Sequence, residues 1–110
     1  MKAARPFRIR EYLADDGTSP FREWLDALDV TVRARIQARV LRFESGNLSD
    51  YKSVGGGVLE SRLDFGPGYP IYFGIDQGDL VVLLIGGTKR TQQRDIRQAR
   101  AYWVDYLRGT

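Results

Sequence analysis

The spacing of hydrophobic positions changes several times along this chain, and each change predicts a secondary-structure element. Residues 7–13 alternate apolar and polar side chains, which is the pattern of a half-buried strand. Ser19 followed by Pro20 predicts a helix start, because serine caps a helix and proline suits its first turn. The apolar stripe of the first helix is then Phe21, Trp24, Leu25 and Leu28.

A second helix is expected to begin near residues 29–31 and to end before Gly46. Its buried side is predicted to consist of Val32, Ile36, Val40 and Phe43. Arginines recur at spacings of four and three residues, which places them in a row along one exposed side: Arg35, Arg39 and Arg42. Such a row is compatible with solvent, with a phosphate backbone or with an acidic protein.

The second half of the chain predicts three consecutive strands and a final helix. A polar, glycine-rich loop is expected over residues 45–57. The strands are predicted from apolar runs joined by tight turns, at residues 58–65, 69–75 and 80–85. Helical spacing resumes at 91–107, with an apolar side of Ile96, Ala99, Trp103 and Tyr106 or Leu107. The order β-α-α-β-β-β-α predicts one α+β domain over residues 1–110, a twisted antiparallel sheet packed against helices.

The amino-acid composition excludes several kinds of site and mechanism. The chain has 110 residues, of which 43% are hydrophobic, so one modest core is expected. Cysteine and histidine are absent, which excludes disulfides, thiolate metal sites and every mechanism that uses a histidine base. No apolar run approaches a membrane span, and no hydrophobic block follows the basic start of the chain. A cytoplasmic protein is therefore expected.

The net charge of +3 has its excess at the C-terminal end, where residues 88–110 hold six basic and two acidic side chains. Four of these cations follow a pair of glycines and stand near the start of the last helix: Lys89, Arg90, Arg94 and Arg97. A helix N-terminus already carries partial positive charge, so this arrangement favours a phosphate-bearing partner. A solvated basic helix is the alternative.

Several segments together indicate a family. Residues 57–69 read GVLESRLDFGPGY, residues 83–89 read LLIGGTK, and Thr91-Gln92 and Asp95-Ile96 follow. With PFREWL at residues 20–25, these segments closely resemble the addiction-module killer proteins, which are HigB-like members of the RelE/ParE toxin superfamily. The resemblance extends over nearly the whole chain.

The resemblance implies the toxin of a type II toxin–antitoxin module. Such a toxin cleaves mRNA on the translating ribosome without a metal or other cofactor. It is neutralised by a cognate antitoxin, commonly a helix-turn-helix DNA-binding protein, and it meets operator DNA only through that antitoxin. No membrane partner is expected. ParE-type relatives instead inhibit DNA gyrase without nuclease activity, and a weakened toxin that retains antitoxin binding is a further alternative.

The resemblance also implies catalytic residues, which are Arg62 on the first meander strand and Lys89 with Arg90 after the third. Contacts to the RNA backbone are expected from Lys52, Arg94 and Arg97, and base stacking from Tyr69 and Tyr72. Solvation is the alternative for the cations, and core packing is the alternative for the tyrosines.

One position departs from the family pattern, which continues Gly-Tyr with an arginine at the cleavage site, whereas this chain has Pro70. Proline supplies neither charge nor N–H, so it does not replace a phosphate contact. Either another cation such as Arg62 takes over, or the protein binds its target with little cleavage.

Cleavage of RNA by its own 2′-hydroxyl needs a proton acceptor, a proton donor and stabilisation of charge on phosphorus. A lysine crowded by arginines is a candidate base or acid, which indicates Lys89 near Arg62 and Arg90. Glu60 and Asp64 alternate with Arg62 and are expected on one face with it. Ion pairing with arginines is the expected role of these carboxylates, and a magnesium site or a general base is the alternative.

Overall fold

The computed structural model describes residues 6–109, and these residues form five strands, three α-helices and one 3₁₀ turn. The strands are β1 (Arg8–Glu11), β2 (Tyr51–Ser53), β3 (Leu59–Leu63), β4 (Tyr69–Asp76) and β5 (Leu80–Gly86). The helices are α1 (Pro20–Asp26), α2 (Val30–Glu44) and α3 (Gln92–Arg108), and the 3₁₀ turn (Lys89–Thr91) precedes α3. The basic start of the chain at residues 1–5 lies outside the described residues, as does residue 110.

The first two helices begin where the sequence predicts, because polar side chains cap them. The Ser19 hydroxyl accepts the Arg22 N–H at 3.0 Å, and the Asp29 carboxylate accepts the Thr31 N–H at 3.0 Å. Each bond satisfies one backbone donor that has no partner within the helix. No helix within residues 6–109 combines the length and the apolarity that crossing a bilayer requires.

The five strands form one mixed sheet in the order β1-β5-β4-β3-β2. The meander from β2 to β5 is antiparallel, but β1 pairs parallel with β5, starting with Arg8 opposite Leu80. The prediction of an antiparallel sheet is therefore wrong for β1. Hydrophobic alternation reports which face of a strand is buried and not its direction, and no short turn joins β1 to β5 to fix that direction.

The strand β2 lies inside the segment that the sequence predicts to be a loop. All three of its side chains are exposed, so it carries no alternation that a sequence pattern could reveal. It exists because its backbone pairs with β3, with Lys52 opposite Glu60. This pairing brings Lys52 to the sheet.

Two hydrophobic clusters lie on opposite faces of the sheet. The first packs α1 and α2 against the sheet and is built around Phe21, Leu25, Ile36, Phe43, Ile71, Phe73 and Leu83. The second packs α3 against the other face and includes Tyr12, Val58, Tyr72, Val82, Leu84, Ala99 and Trp103. The predicted apolar sides of α2 and α3 are confirmed by the burial of Ile36, Phe43, Ala99 and Trp103.

Two glycines in the central strands let tryptophan rings lie directly on the sheet. A Cβ at Gly74 would stand 2.5 Å from the Trp103 ring, and a Cβ at Gly86 would overlap the Trp24 ring. Real Cβ atoms do not approach other atoms this closely, so both positions need a residue without a side chain. The sheet is thus held between one tryptophan from α1 and one from α3.

We predict that Gly86→Ala lowers the free energy of unfolding by about 1–3 kcal/mol, the usual cost of overpacking, because the new methyl group displaces the Trp24 ring. Urea denaturation of the purified protein measures this loss. Gly109→Ala is the matched control, since a Cβ there meets only ordinary contacts at 3.6 and 3.7 Å. Equal stability of the two variants would contradict the prediction.

Candidate nucleic-acid interface

The register of β3 and β4 determines which side chains lie together on the sheet face beside α3. Glu60 pairs with Tyr72 and Arg62 pairs with Pro70, so these four side chains share the face that α3 covers in part. At the β2 end of this face lies a cleft of about 270 Å³, the sheet cleft, which is lined by Asp50, Tyr51, Lys52, Glu60, Arg62 and Asp64. The expectation that Glu60, Arg62 and Asp64 share one surface is confirmed.

Glu60 lies at the bottom of the sheet cleft and is 3% exposed. Its carboxylate accepts hydrogen bonds from Arg62 Nη2 at 3.3 and 3.4 Å and from Gln92 Nε2 at 3.3 Å. Lys52 Nζ lies 3.9 Å away. Ion pairing of Glu60 with a neighbouring arginine is thus confirmed. These bonds are longer than the roughly 2.7–2.9 Å of tight charge-assisted pairs, so Arg62 is held loosely.

Arg62 and Lys89 lie on either side of Gly68. A Cβ at Gly68 would stand 3.9 Å from both Arg62 Cδ and Lys89 Cβ, and the Lys89 N–H donates to the Gly68 carbonyl at 3.3 Å. Gly68 has φ of +81°, which favours glycine at this turn. Two cationic residues that are distant in sequence therefore both pack beside Gly68.

A second concave surface, the α3 groove, begins at Lys89 and has a volume of about 780 Å³. Its lining comprises Lys89, Arg90, Thr91, Gln92, Gln93, Arg94, Ile96 and Arg97. All four cations expected near the start of the last helix thus share one open surface. Arg94 keeps an ion pair with Asp95 at 3.4 Å, but its side chain is 65% exposed.

A buried carboxylate, Asp95, holds the start of α3 against the end of β5. It is 2% exposed and accepts the Thr91 hydroxyl, while that hydroxyl accepts the Thr88 N–H at 3.2 Å. A Cβ at Gly87 would overlap the carboxylate. The glycine and threonines that suggest a phosphate-binding turn in the sequence therefore fix the 3₁₀ turn. Lys89 and Arg90 lie within that turn and are exposed to solvent.

Sequence reasoning did not identify Asp95 as a residue that positions the site. The available signal was an acidic residue in the first turn of a helix, one position before the apolar Ile96. Acidic residues are common in first turns because they favour the positive helix end. An acidic residue in the first turn of a helix therefore does not by itself indicate that Asp95 is buried.

The expectation of base stacking is wrong for Tyr72 and stays a prediction for Tyr69. Tyr72 is 0% exposed beneath α3, so neither face of its ring is accessible. Tyr69 lies on the opposite sheet face, half-buried against the first cluster, with its ring centroid 5.1 Å from that of Phe65. Core packing, the alternative role, is confirmed for both.

The arginine row on α2 also differs from expectation, because Arg39 is half-buried. Its Nη1 donates to the Ser61 hydroxyl at 2.9 Å and to the Arg62 carbonyl at 3.2 Å. Burial lowers the pKa of Arg39, and the neighbouring Arg42 lowers it further. Arg39 therefore supports the backbone of β3 from behind the sheet cleft, whereas Arg35 and Arg42 remain exposed.

The interpretation of Lys89 as a poised base or acid stays a prediction. Its side chain is exposed at the start of the 3₁₀ turn. Its position beside Arg62 suits contact with an anion. Glu60 is a buried carboxylate that lies in contact with Arg62.

The hydroxyl of Tyr72 lies next to Glu60 and stays protonated over a wide pH range. Burial raises the pKa of Tyr72, and the negative charges of Glu60 and Asp95 raise it further. Within residues 6–109 this hydroxyl has no hydrogen-bond partner. Tyr72 therefore lies buried beneath α3 beside Glu60 and does not line the sheet cleft.

We predict that stability falls as the pH rises above the ordinary tyrosine pKa of about 10. The unfolded chain then loses protons that buried tyrosines keep, so the stability linked to Tyr72 is present below that pH and is lost as the pH climbs toward the folded pKa. Tyr72→Phe should reduce the slope by up to about 1.4 kcal/mol per pH unit. Urea denaturation in a series of alkaline buffers measures the slope.

Tyr51→Phe is the control for this experiment, because Tyr51 is exposed. If Tyr72→Phe and Tyr51→Phe show the same alkaline slope, the burial of Tyr72 does not contribute to the pH dependence.

Comparison with known proteins shows one relationship of high identity. No family model matches the chain. A protein of Haemophilus influenzae, whose description is "Uncharacterized protein", is 45% identical over 84 residues, which cover 76% of this chain and 85% of that protein. Identity at this level over most of both chains indicates common descent and a shared fold. The chain therefore belongs to the same protein family as this Haemophilus influenzae protein.

Proposed function

We propose that this protein is the toxin of a type II toxin–antitoxin module and that it cleaves mRNA on the ribosome. The observation that carries the proposal is the placement of Arg62 and Lys89 on either side of Gly68, at the junction of the sheet cleft and the α3 groove. Together with the resemblance to HigB-like toxins, the four cations that line the open α3 groove beside Arg62 fit a polynucleotide better than a small metabolite.

In this proposal Arg62, Lys89 and Arg90 contact the phosphate at which cleavage occurs. Preorganised positive charge at a phosphate that gains negative charge is commonly the largest contribution to catalysis. Lys52, Arg94 and Arg97 contact the neighbouring backbone, which adds affinity without base preference. Such contacts release counterions, so binding should weaken as the salt concentration rises.

Pro70 affects the rate of mRNA cleavage that this proposal predicts. It lies directly opposite Arg62, where the family resemblance leads us to expect an arginine, and its carbonyl accepts the Gly87 N–H at 3.2 Å. Loss of one well-placed donor commonly lowers kcat by about 10²–10³-fold. We propose that Arg62 assumes the role of the missing side chain and that cleavage is slower than with the arginine present.

The proposed partner is a cognate antitoxin with a helix-turn-helix DNA-binding domain. The basic surface would attract an acidic antitoxin segment, which would neutralise the toxin by covering the α3 groove. Operator DNA would be bound only by the complex, through the antitoxin.

We predict that Arg62→Ala and Lys89→Ala each relieve the growth arrest that induced expression of the protein causes, since each removes a cation from the reacting phosphate. Growth curves and mapping of mRNA 5′ ends after induction measure the effect. Arg33→Ala is the matched control, because Arg33 lies on α2 and donates to the Asp26 carbonyl at 3.4 Å. Arrest by the two variants at the parental level would refute the assignment.

The same experiment separates the alternative functions. DNA breaks with intact transcripts would favour inhibition of gyrase. An induced parent that binds its antitoxin but neither slows growth nor cuts mRNA would favour a weakened toxin.

We predict that Pro70→Arg increases growth inhibition by tenfold or more in inducer dose, a change well within the roughly 10²–10³-fold effect of one catalytic donor. Pro67→Arg is the control, because it adds the same charge on the exposed turn beside the site. Equal effects of the two substitutions would show that net charge, not the position opposite Arg62, controls toxicity. Unchanged toxicity of Pro70→Arg would show that the missing arginine is not limiting.

A further inference from the structure

A third concave surface, the α2 cleft, lies between α2 and the end of β3, on the sheet face opposite α3. It has a volume of about 360 Å³. Its lining includes Arg35, Arg39, Arg42, Leu63, Asp64 and Phe65. The proposed function uses none of these residues. Three cations and one carboxylate share this cleft, so its lining has an excess of two positive charges.

The half-buried Arg39 carries a positive charge for which the described residues supply no ion-pair partner. Its Nη1 donates to two neutral acceptors, the Ser61 hydroxyl at 2.9 Å and the Arg62 carbonyl at 3.2 Å. The ion pairs within residues 6–109 do not include Arg39. A guanidinium that is partly removed from water without a bound carboxylate is stabilised by an anion that accepts its remaining N–H groups.

Arg35 and Arg42 extend the cationic lining along α2 to either side of Arg39. Arg35 Cζ lies 4.5 Å from the centroid of the Phe65 ring, and this contact holds the guanidinium in place without using its N–H donors. Within residues 6–109 neither the Arg35 nor the Arg42 side chain donates a hydrogen bond or forms an ion pair. The donors of both side chains are therefore available to a ligand.

The number and kind of these donors select the anion. Each guanidinium presents a planar fork of N–H groups that matches the oxygens of phosphate. A carboxylate has two oxygens and one charge, whereas a terminal phosphate has three free oxygens and carries about 1.5–2 negative charges at pH 7. The excess of two positive charges thus fits a terminal phosphate better than a carboxylate or a nucleic-acid diester, which carries a single charge.

We infer that the α2 cleft is a binding site for a terminal phosphate group, supplied by inorganic phosphate or by the 5′ end of an RNA strand and held by Arg35, Arg39 and Arg42. The site goes beyond the proposed function. It lies on the other sheet face from the α3 groove, and it does not require mRNA cleavage.

The carboxylate in the lining, Asp64, gives the site a measurable signature. Its side chain is exposed, and its negative charge raises the pKa of Arg39, which burial and the neighbouring Arg42 lower. The same charge repels an incoming anion. Asp64 also lines the sheet cleft, and Arg39 donates to the Arg62 carbonyl. A phosphate bound to Arg39 is therefore connected to the backbone of β3 at Arg62.

The first test follows the amide signals of ¹⁵N-labelled protein by NMR while inorganic phosphate is added at constant ionic strength. We expect saturable shifts at residues 35–42 and 63–65. Arg42→Met should weaken binding about tenfold or more, the usual effect of losing a hydrogen bond to a charged group. Arg33→Met is the matched control and should leave binding unchanged, because Arg33 lies on α2 outside the lining of the cleft.

The second test changes affinity in the opposite direction. Asp64→Asn removes the repelling charge and should tighten phosphate binding by up to about fivefold, the scale of one exposed charge pair. A misfolded variant would lose affinity, so tighter binding cannot result from damage to the fold. Shifts confined to residues 89–97 would overturn the site. Unchanged affinity in both Arg42→Met and Asp64→Asn would overturn it as well.

The third test identifies the source of the phosphate with two short RNA strands of one sequence, which carry a 5′-phosphate or a 5′-hydroxyl. If the strand end is the ligand, the phosphorylated strand shifts the signals of residues 63–65 at lower concentration than inorganic phosphate does. If free phosphate is the ligand, it binds at least as tightly as that strand. Equal shifts from both strands would overturn the assignment to a terminal phosphate, and so would tighter binding of a glutamate-rich peptide in the cleft.

These titrations use the purified protein without ribosomes, so they are independent of the proposed function. A protein that cleaves no message but binds phosphate in the α2 cleft would refute the proposed function and support the site. A protein that cleaves mRNA without saturable shifts at residues 35–42 and 63–65 would overturn the site alone.

Discussion

The contact between the buried Asp95 carboxylate and the backbone at Gly87 determines how α3 meets the sheet. Because Gly87 has no side chain and Thr91 donates its hydroxyl to Asp95, the chain turns sharply from β5 into the helix. That turn sets Lys89 beside Gly68 and lets Gln92 reach Glu60. The turn therefore determines where the α3 groove lies relative to the sheet cleft.

Two features of the sheet face beside α3 do not contribute to the stability of the fold. Glu60 is buried with loosely held cations, and Tyr72 is buried with an unsatisfied hydroxyl on the same face. Aliphatic residues at these positions would remove the desolvation cost. Unfavourable local interactions that are retained beside a basic surface are more typical of a binding or catalytic site than of a hydrophobic core.

Much of the fold is encoded in local patterns. Capping by Ser19 and Asp29, the glycine-containing turns and the apolar side of α3 all act within a few residues, and the sequence predicted each element they define. The strand β2 and the direction of β1 depend on partners far along the chain, so local patterns carried no information about them. The cations of the α3 groove followed from their position after β5, whereas the burial of Tyr72 and the role of Asp95 depend on how α3 packs.

The parallel pairing of β1 with β5 has a consequence for the order of folding. The meander from β2 to β5 joins neighbours along the chain, but β1 lies at the start of the described residues and its partner begins at Leu80. Closing so long a loop is entropically costly and slows assembly. During synthesis the outermost strand must wait until β5 has left the ribosome. The basic surface beside β5 is assembled no earlier, because Lys89 takes its place beside Gly68 only after the residues that follow β5 have been made.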